Sequence, residues 1–207
     1  MTDTFINSLN QQLMKDLPGK KSHDIMKVRF KDLKKNSQPL IGSSIAAVLI
    51  CLFPDQSGWN FFLTKRSKHV ANHKGQISLP GGMVEKEESP ENASLRESYE
   101  EIGIKSKSIK IIGELTPIYV PISNFKVYPF IGWINKKPNI ILQKEEVSKI
   151  FSIPIKDLLN EQNLKSEIRY FNKRKAFVPY FHLKSQKIWG ATSLIISEFK
   201  FILKEIL

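Results

Sequence analysis

A single cysteine, Cys51, stands among 207 residues. That excludes an internal disulfide and any zinc site built from several cysteines. It also fits a reducing compartment, so the expected setting is cytoplasmic. Long hydrophobic runs are scarce as well. The longest, Ile45 to Phe53, is too short to span a bilayer as a helix. The first ten residues include Asp3 and lack the apolar run of a secretory leader. No membrane partner is expected. Internal repeats and low-complexity segments are absent. Acidic side chains are the minority, 20 against 32 lysines and arginines, which gives a formal net charge of +12. Only five of the basic residues are arginines: Arg29, Arg66, Arg96, Arg169 and Arg174. The excess charge predicts an electropositive field that attracts polyanions. The lysines are scattered rather than gathered in a stripe, and a lysine-rich composition accounts for the same charge. No nucleic-acid-binding module is visible, so nucleic acid is not an expected partner.

What is present fits an ordinary globular chain, 41% hydrophobic and 25% charged, and long enough to bury a sizeable core. Residues 1–40 read as a partly helical N-terminal extension, with a short helix within Lys21 to Leu33. Residues 41–207 read as the main domain. Ser44 to Phe53 is a strand of small and β-branched residues, with Cys51 inside it as core. Pro54 to Gly58 is a turn, and Trp59 to Thr64 returns as a hairpin. Further strands are expected at Ile109 to Ile118, Phe125 to Ile134 and Ile140 to Leu142. A short helical turn is expected at Ile153 to Leu159. Tyr180 to Leu183 and Ile188-Trp189 read as paired strands. Leu194, Ile195, Phe199, Ile202 and Ile206 recur at helical spacing and predict a closing helix. Strands set around two main helices predict an α/β layered domain.

A helix is best marked at Pro90 to Ile102. Ser89 suits the N-cap, Pro90 the first position, Glu91 the first turn and Gly103 the stop. Within it Glu97 lies three residues before Glu100 and four before Glu101, so the three acids share a face. Leu95, Tyr99 and Ile102 form a separate stripe that can pack on a sheet. Arg96 precedes Glu100 by four and can brace the cluster. Carboxylates this close repel and raise one another's pKa. A hard divalent cation relieves that, because Mg²⁺ takes oxygen ligands together with water and substrate phosphate. Spacing alone does not separate this reading from a solvated acidic helix face.

The segment Gly82 to Ile104, GMVEKEESPENASLRESYEEIGI, resembles the Nudix box, Gly-x5-Glu-x7-Arg-Glu-U-x-Glu-Glu-x-Gly-U, with U a bulky aliphatic residue. Gly82, Glu88, Arg96, Glu97, Glu100, Glu101 and Gly103 fill every fixed position. At a usage of roughly 6% per residue type, seven matches arise by chance about 10⁻⁹ times per start position. Ile104 fits the last U, while Ser98 departs at the first. The resemblance implies an α/β/α sandwich with a mixed β-sheet and a loop–helix–loop catalytic motif. It implies Mg²⁺ or Mn²⁺ held mainly by Glu97 and Glu101, with Glu100 assisting and a backbone carbonyl at Gly81 or Gly82 contributing. Arg96 would orient the carboxylates, and Glu88 and Gly103 would shape the loops. By the same resemblance the general base would be Glu100 or Glu101, or else Glu146 as a carboxylate from a distant loop.

The stretch before the box, Phe62 to Gly82, resembles the coenzyme A pyrophosphatase branch of these enzymes. That branch reads Leu-Leu-Thr-x-Arg-Ser, then Leu-Arg, then Gly, then Phe-Pro-Gly-Gly. Thr64, Arg66, Ser67, Gly75, Pro80, Gly81 and Gly82 match, and Phe62, Val70 and Leu79 are apolar replacements. Ala71 stands where the branch has its second arginine; if that arginine grips a phosphate, this chain must use a neighbour such as His69, His73 or Lys74, or bind more weakly. Arg66 can grip a phosphate bidentately, while Lys65 and Lys74 supply charge. Val127 to Gly132, Glu146 to Phe151 with Ile153-Pro154, and Ile188 to Ser193 resemble the branch's central strand, its helix-and-turn segment and its C-terminal helix entry. The resemblance covers roughly residues 44–201. Its implied substrate is coenzyme A or an acyl-CoA; another nucleoside diphosphate derivative is the alternative, and a non-catalytic nucleotide- or RNA-binding module is a further one. A homodimer is compatible with the sequence.

Overall fold

Small and β-branched residues from Ser44 onward favour an extended chain. In the computed structural model, which describes residues 2–30, 42–56, 58–68 and 75–207, that run is the central strand. The helices are α1 (Thr2–Leu13), α2 (Lys20–Met26), α3 (Pro90–Ile102), α4 (Ile155–Leu159) and α5 (Ala191–Lys204). The strands begin with β1 (Arg29–Phe30), β2 (Ser44–Asp55), β3 (Gly58–Arg66), β4 (Ile77–Ser78), β5 (Gly81–Met83) and β6 (Lys110–Glu114). They continue with β7 (Ile118–Val120), β8 (Phe125–Trp133), β9 (Val147–Pro154), β10 (Leu164–Phe171), β11 (Arg174–Leu183) and β12 (Gln186–Ile188).

The main sheet runs β4-β3-β2-β8-β6, with β9 on β3, β5 on β2 and β7 on β8. It is mixed, because β2 and β8 run parallel from Ser44↔Phe125 to Leu52↔Trp133 while the other pairs are antiparallel. Strand β2 is apolar at almost every position because both of its faces are covered. Leu49, Cys51 and Phe53 face one layer with Ala93 and Ile102 of α3. Ile50 and Leu52 face the other, with Ile195, Phe199 and Ile202 of α5 and Ile6 and Leu9 of α1. Helix, sheet and helix thus form three layers. A smaller antiparallel sheet, β1-β11-β10 with β12 on β11, packs Phe181, Leu183 and Ile188 into the same cluster as α5. Among the described residues no helix is long and apolar enough to cross a membrane.

Helix α3 has the expected ends. Ser89 Oγ accepts the Asn92 N–H at 3.2 Å, and Gly103, at φ 76°, donates its N–H to the Tyr99 carbonyl. Its packing face differs from the expected stripe. Tyr99 is exposed, whereas Ser94 and Ser98 are fully buried. Both serines satisfy their hydroxyls within the helix, Ser98 Oγ donating to the Ser94 carbonyl at 2.8 Å and Ser94 Oγ to the Glu91 carbonyl at 2.7 Å. Small satisfied residues let the helix sit close to β2, so the departure at Ser98 does not loosen it.

Other expectations need correction. Ile140 to Leu142 forms no strand. There the Ile141 N–H donates to the Ile102 carbonyl at 3.1 Å and the Gln143 N–H to the Glu101 carbonyl at 3.1 Å, capping the end of α3. The expected helix-and-turn at Glu146 to Phe151 is mostly strand β9, paired with β3 from Asn60↔Pro154 to Arg66↔Val147. The run Ile109 to Ile118 divides between β6 and the start of β7. The N-terminal helix ends at Met26 and is followed by β1; residues 31–33 of the expected helix lie outside the described residues. Helix α1 and strand β10 were not anticipated.

Candidate active site

Strand β5 brings two glycines against the helix that carries the acids. Hydrogen bonds from the Leu49 N–H to the Pro80 carbonyl and from the Val84 N–H to the Ile45 carbonyl, both 2.9 Å, clamp this segment along β2. A Cβ at Gly81, whose φ is 150°, would lie 2.2 Å from the Ala47 carbonyl oxygen. A Cβ at Gly82 would lie 2.4 Å from Glu97 Oε1. Glycine is therefore required at both positions, for different reasons. At Gly81 the backbone of β2 is in the way; at Gly82 it is the carboxylate itself.

The acids of α3 have distinct surroundings. Arg96 places its five donors on four groups. Nε and Nη2 form a fork on Glu88 at 3.0 Å each, Nη1 reaches Glu97 and Glu100 at 2.9 Å each, and Nη2 also donates to the Met83 carbonyl. This hydrogen bonding holds the Glu88 carboxyl below its ordinary range and raises Arg96 further. Arg96 thus ties the box loop to the helix and aims Glu97. Glu100 lies on the outer side of this arginine and is half exposed. Glu101 is 1% exposed. Burial pushes its carboxyl up to about 8, although the Arg66 charge and the Gly81 N–H, donating at 3.3 Å, pull it back. Burial also raises Glu97, against the pull of Arg96.

Two expected contributors arrive from other strands. Arg66 Nη1 stands 3.6 Å from Glu101 Oε1, while its buried Nε has no hydrogen-bond partner among the described residues. Glu146 sits just ahead of β9 with an exposed side chain, and its charge reaches both Glu97 and Glu101, raising each. Ser67 is buried, and its N–H donates to the Glu146 carbonyl at 2.7 Å, so it links the two loops. His73 and Lys74, with His69 and Ala71, lie outside the described residues. Cys51 is buried, and burial pushes its thiol up to about 12, which leaves it a core residue.

Reasoning from sequence overlooked one wall of this region. Lys65, Arg66, Ser67, Lys68, Gly75, Ser148 and Lys149 line a cleft of about 420 Å³. Ser148 and Lys149 were missed because their segment did not read as a strand; the β-branched and aromatic run Ile150, Phe151 and Ile153 was the available signal.

The donors suit a hard divalent cation. Glu97 and Glu101 are carboxylates kept partly out of water, and the Gly82 backbone leaves open the space beside Glu97 that any side chain would fill. Among the described residues, no three acidic, histidine or cysteine groups already close into a cage. Gly82→Ala is therefore expected to displace Glu97 while sparing the fold, because the added methyl meets the end of a flexible side chain. A displacement of about 1 Å at a reacting site costs on the order of 100-fold. Turnover should fall about 10- to 100-fold, measured alongside an almost unchanged melting temperature; unaltered turnover would show that Glu97 does not need this seat.

A family model described as the NUDIX domain matches residues 44–174. Nudix hydrolase 15, mitochondrial, of Arabidopsis thaliana is 35% identical over 159 residues, covering 73% of this chain and 55% of the relative. The chain thus spans about half of that plant protein. A Nudix hydrolase NudL of Enterobacter sp. (strain 638) is 34% identical over 176 residues, 82% of this chain and 88% of the relative. The crystal structure of a MutT/nudix family protein from Enterococcus faecalis shares the fold with a TM-score of 0.52 at 17% identity, over 84% of this chain and 66% of that one. The family match spans most of the chain and includes the clamped glycines and clustered acids, so this chain belongs to the Nudix hydrolase family.

Proposed function

We propose that the chain hydrolyses the diphosphate bond of coenzyme A or an acyl-CoA, yielding 3′,5′-ADP and (acyl-)4′-phosphopantetheine. The observation that carries this reading is the cationic cleft of about 420 Å³, joined to the carboxylates through the contact between Arg66 and Glu101. A coenzyme with a diphosphate and a separate phosphate needs cations of this kind next to acids of that kind. The loop resemblance from Phe62 to Gly82 points to the same branch.

Mg²⁺ or Mn²⁺ would be held by Glu97 and Glu101, with Glu100 assisting, and would neutralise the diphosphate. Arg66 grips one phosphate through its guanidinium, helped by Ser67 and by His73 and Lys74, which follow it in the sequence. Gly81 and Gly82 let the phosphates approach the backbone. Arg96 keeps Glu97 aimed and does not touch the substrate. In the reaction a water oxygen bonds to one phosphorus, the bridging P–O bond breaks, and the water's proton passes to a carboxylate. Glu146 is assigned that role, because Glu97, Glu101 and Glu100 are the carboxylates that would hold the metal, while the exposed Glu146 stands near enough for its charge to reach Glu97 and Glu101. The protein works on a small molecule in the cytoplasm.

Turnover of coenzyme A, ADP-ribose, NADH and oxidised dGTP, measured side by side, tests the substrate. Coenzyme A should rank first. If it ranks last while another compound is cut, the substrate assignment fails and the diphosphatase reading stands. Arg66→Ala should raise KM for coenzyme A about 10- to 100-fold, since charge-assisted hydrogen bonds contribute about 1.5–3 kcal/mol. An unchanged KM and kcat would remove Arg66 from the site.

A further inference from the structure

Among the described residues, the hairpin of β10 and β11 leaves a long strand edge unpaired. Strand β10 is bordered by β11 on one side, and no described strand lies on the other. The edge is also regular. Eight consecutive pairs join β10 to β11, from Leu164↔Phe181 to Phe171↔Arg174, without a register shift. A tight turn at Asn172 and Lys173, both at positive φ, closes the hairpin. The main sheet is blunted by comparison: β4 has only two residues, and β6 and β9 each pair through a register shift. Short strands, bulges and prolines are common defences against edge-to-edge pairing, and β10 has none of them. Apolar side chains are exposed on one of its faces. Ile168 is 55% exposed, Tyr170 69%, and Phe177, directly opposite Ile168 on β11, 43%.

Charged residues on an edge normally repel a neighbouring strand. Those of β10 are self-complementary. Successive side chains alternate faces, so Lys165, Glu167, Arg169 and Phe171 share one face and Ser166, Ile168 and Tyr170 the other. Within one chain Arg169 already donates to Glu167 on that first face. Two copies of the strand, antiparallel about a two-fold axis at Ile168, set Glu167 of each copy opposite Arg169 of the other. Lys165 then meets Phe171, Ser166 meets Tyr170, and Ile168 meets its own equivalent. Axes one residue away, at Glu167 or Arg169, oppose like charges directly, which is unfavourable. An axis at Ser166 joins only residues 164–168 of the strand, whereas one at Ile168 joins residues 165–171. We infer that the open edge of β10 is the interface with a second copy of this chain, in a two-fold pairing centred on Ile168. Main-chain hydrogen bonds along the edge supply affinity, and the alternating charges set the register. The apolar row of Phe177 and Ile168 continues across the axis into the second copy. This interface uses no residue of the acidic site, so it stands or falls apart from the assigned reaction.

Sedimentation equilibrium of the full chain should give twice the monomer mass at micromolar concentration. Glu167→Arg and Arg169→Glu each turn two opposite-charge pairs into two like-charge pairs. Each alone should raise the dimer dissociation constant about 10- to 100-fold. Mixed in equal amounts, the two variants should associate at least as tightly as the wild type, which also shows that both are folded. A cross-link reads the register. Ile168→Cys places two thiols directly opposite, with Cα atoms about 4.5–5.5 Å apart, within the span of a disulfide. Ser166→Cys leaves its two thiols about 14 Å apart along the strands. Under mild oxidation the first should become mostly covalent dimer, and the second should give less than about a tenth as much. The native Cys51 is buried and does not compete. A wild type that stays monomeric at every concentration, a dimer indifferent to both charge changes, or equal cross-linking from the two cysteines would overturn the interface.

Discussion

Glu101→Gln is expected to lower kcat about 10³-fold while leaving the melting temperature unchanged or slightly raised. The two effects share a cause. Glu101 is 1% exposed, and burial pushes its carboxyl up to about 8 despite the nearby Arg66. A charge held there is costly to the fold. Glutamine keeps the volume and can still accept the Gly81 N–H, so the fold loses little. It cannot supply the negative oxygen that a divalent cation requires. Removing one charged ligand weakens transition-state stabilisation by about 4 kcal/mol, which is about 10³ in rate. Glu97→Gln should behave similarly in kcat, and also frees one bond of Arg96. Steady-state turnover with Mg²⁺ and a thermal melt on the same samples check both effects. Near-normal turnover in both variants would dismiss these residues as ligands, and a large loss of stability in Glu101→Gln would make its role structural. The expected pattern is that of a site whose polarity opposes stability and is kept for chemistry.

The acids were legible because their information is local. Ser89, Pro90 and Gly103 mark the two ends of a helix, and helical spacing then sets Glu97, Glu100 and Glu101 without reference to the rest of the chain. What was not legible depends on distant partners. Periodicity put Tyr99 on the packing face, but the close approach of α3 to β2 rewards the small residues Ser94 and Ser98 and leaves Tyr99 outside. Ile140 to Leu142 has strand composition, yet the free carbonyls at the end of α3 claim its N–H groups. Strand β10 alternates Glu167 and Arg169 with the exposed Ile168 and Tyr170, so neither face reads as core. Strand β9 shows its role only once β3 lies beside it. The same limit hid Lys149, which faces Lys65 across a pairing between residues far apart in the chain.

The largest expected loss of stability lies away from the acids, at a residue of α5 beyond the span of the family match. Glu198 of α5 is fully buried and accepts four hydrogen bonds. The Gly19 N–H donates at 2.9 Å, the Thr116 N–H at 3.1 Å and Thr116 Oγ1 at 2.7 Å, while His23 Nε2 lies 3.0 Å from Oε2. One carboxylate thus ties the start of α2 and the β6–β7 connection to the closing helix. Burial raises its pKa, but the bonds from His23, Thr116 and Gly19 outweigh burial and hold the carboxyl below its ordinary range. Glu198→Leu would fill similar space and leave these donors buried without an acceptor. Breaking a buried charged network on one side costs about 3–5 kcal/mol. For a chain of this size that lowers the melting temperature by roughly 10 °C. The pH dependence follows from the lowered pKa. The stabilisation is complete above the unfolded glutamate value, about 4.3, and is lost as pH falls through the lower folded value. Urea midpoints measured from neutral pH downward should therefore fall more steeply in acid for the wild type than for Glu198→Gln. Parallel curves would mean that this carboxylate is not what holds the terminal helices to the sheet.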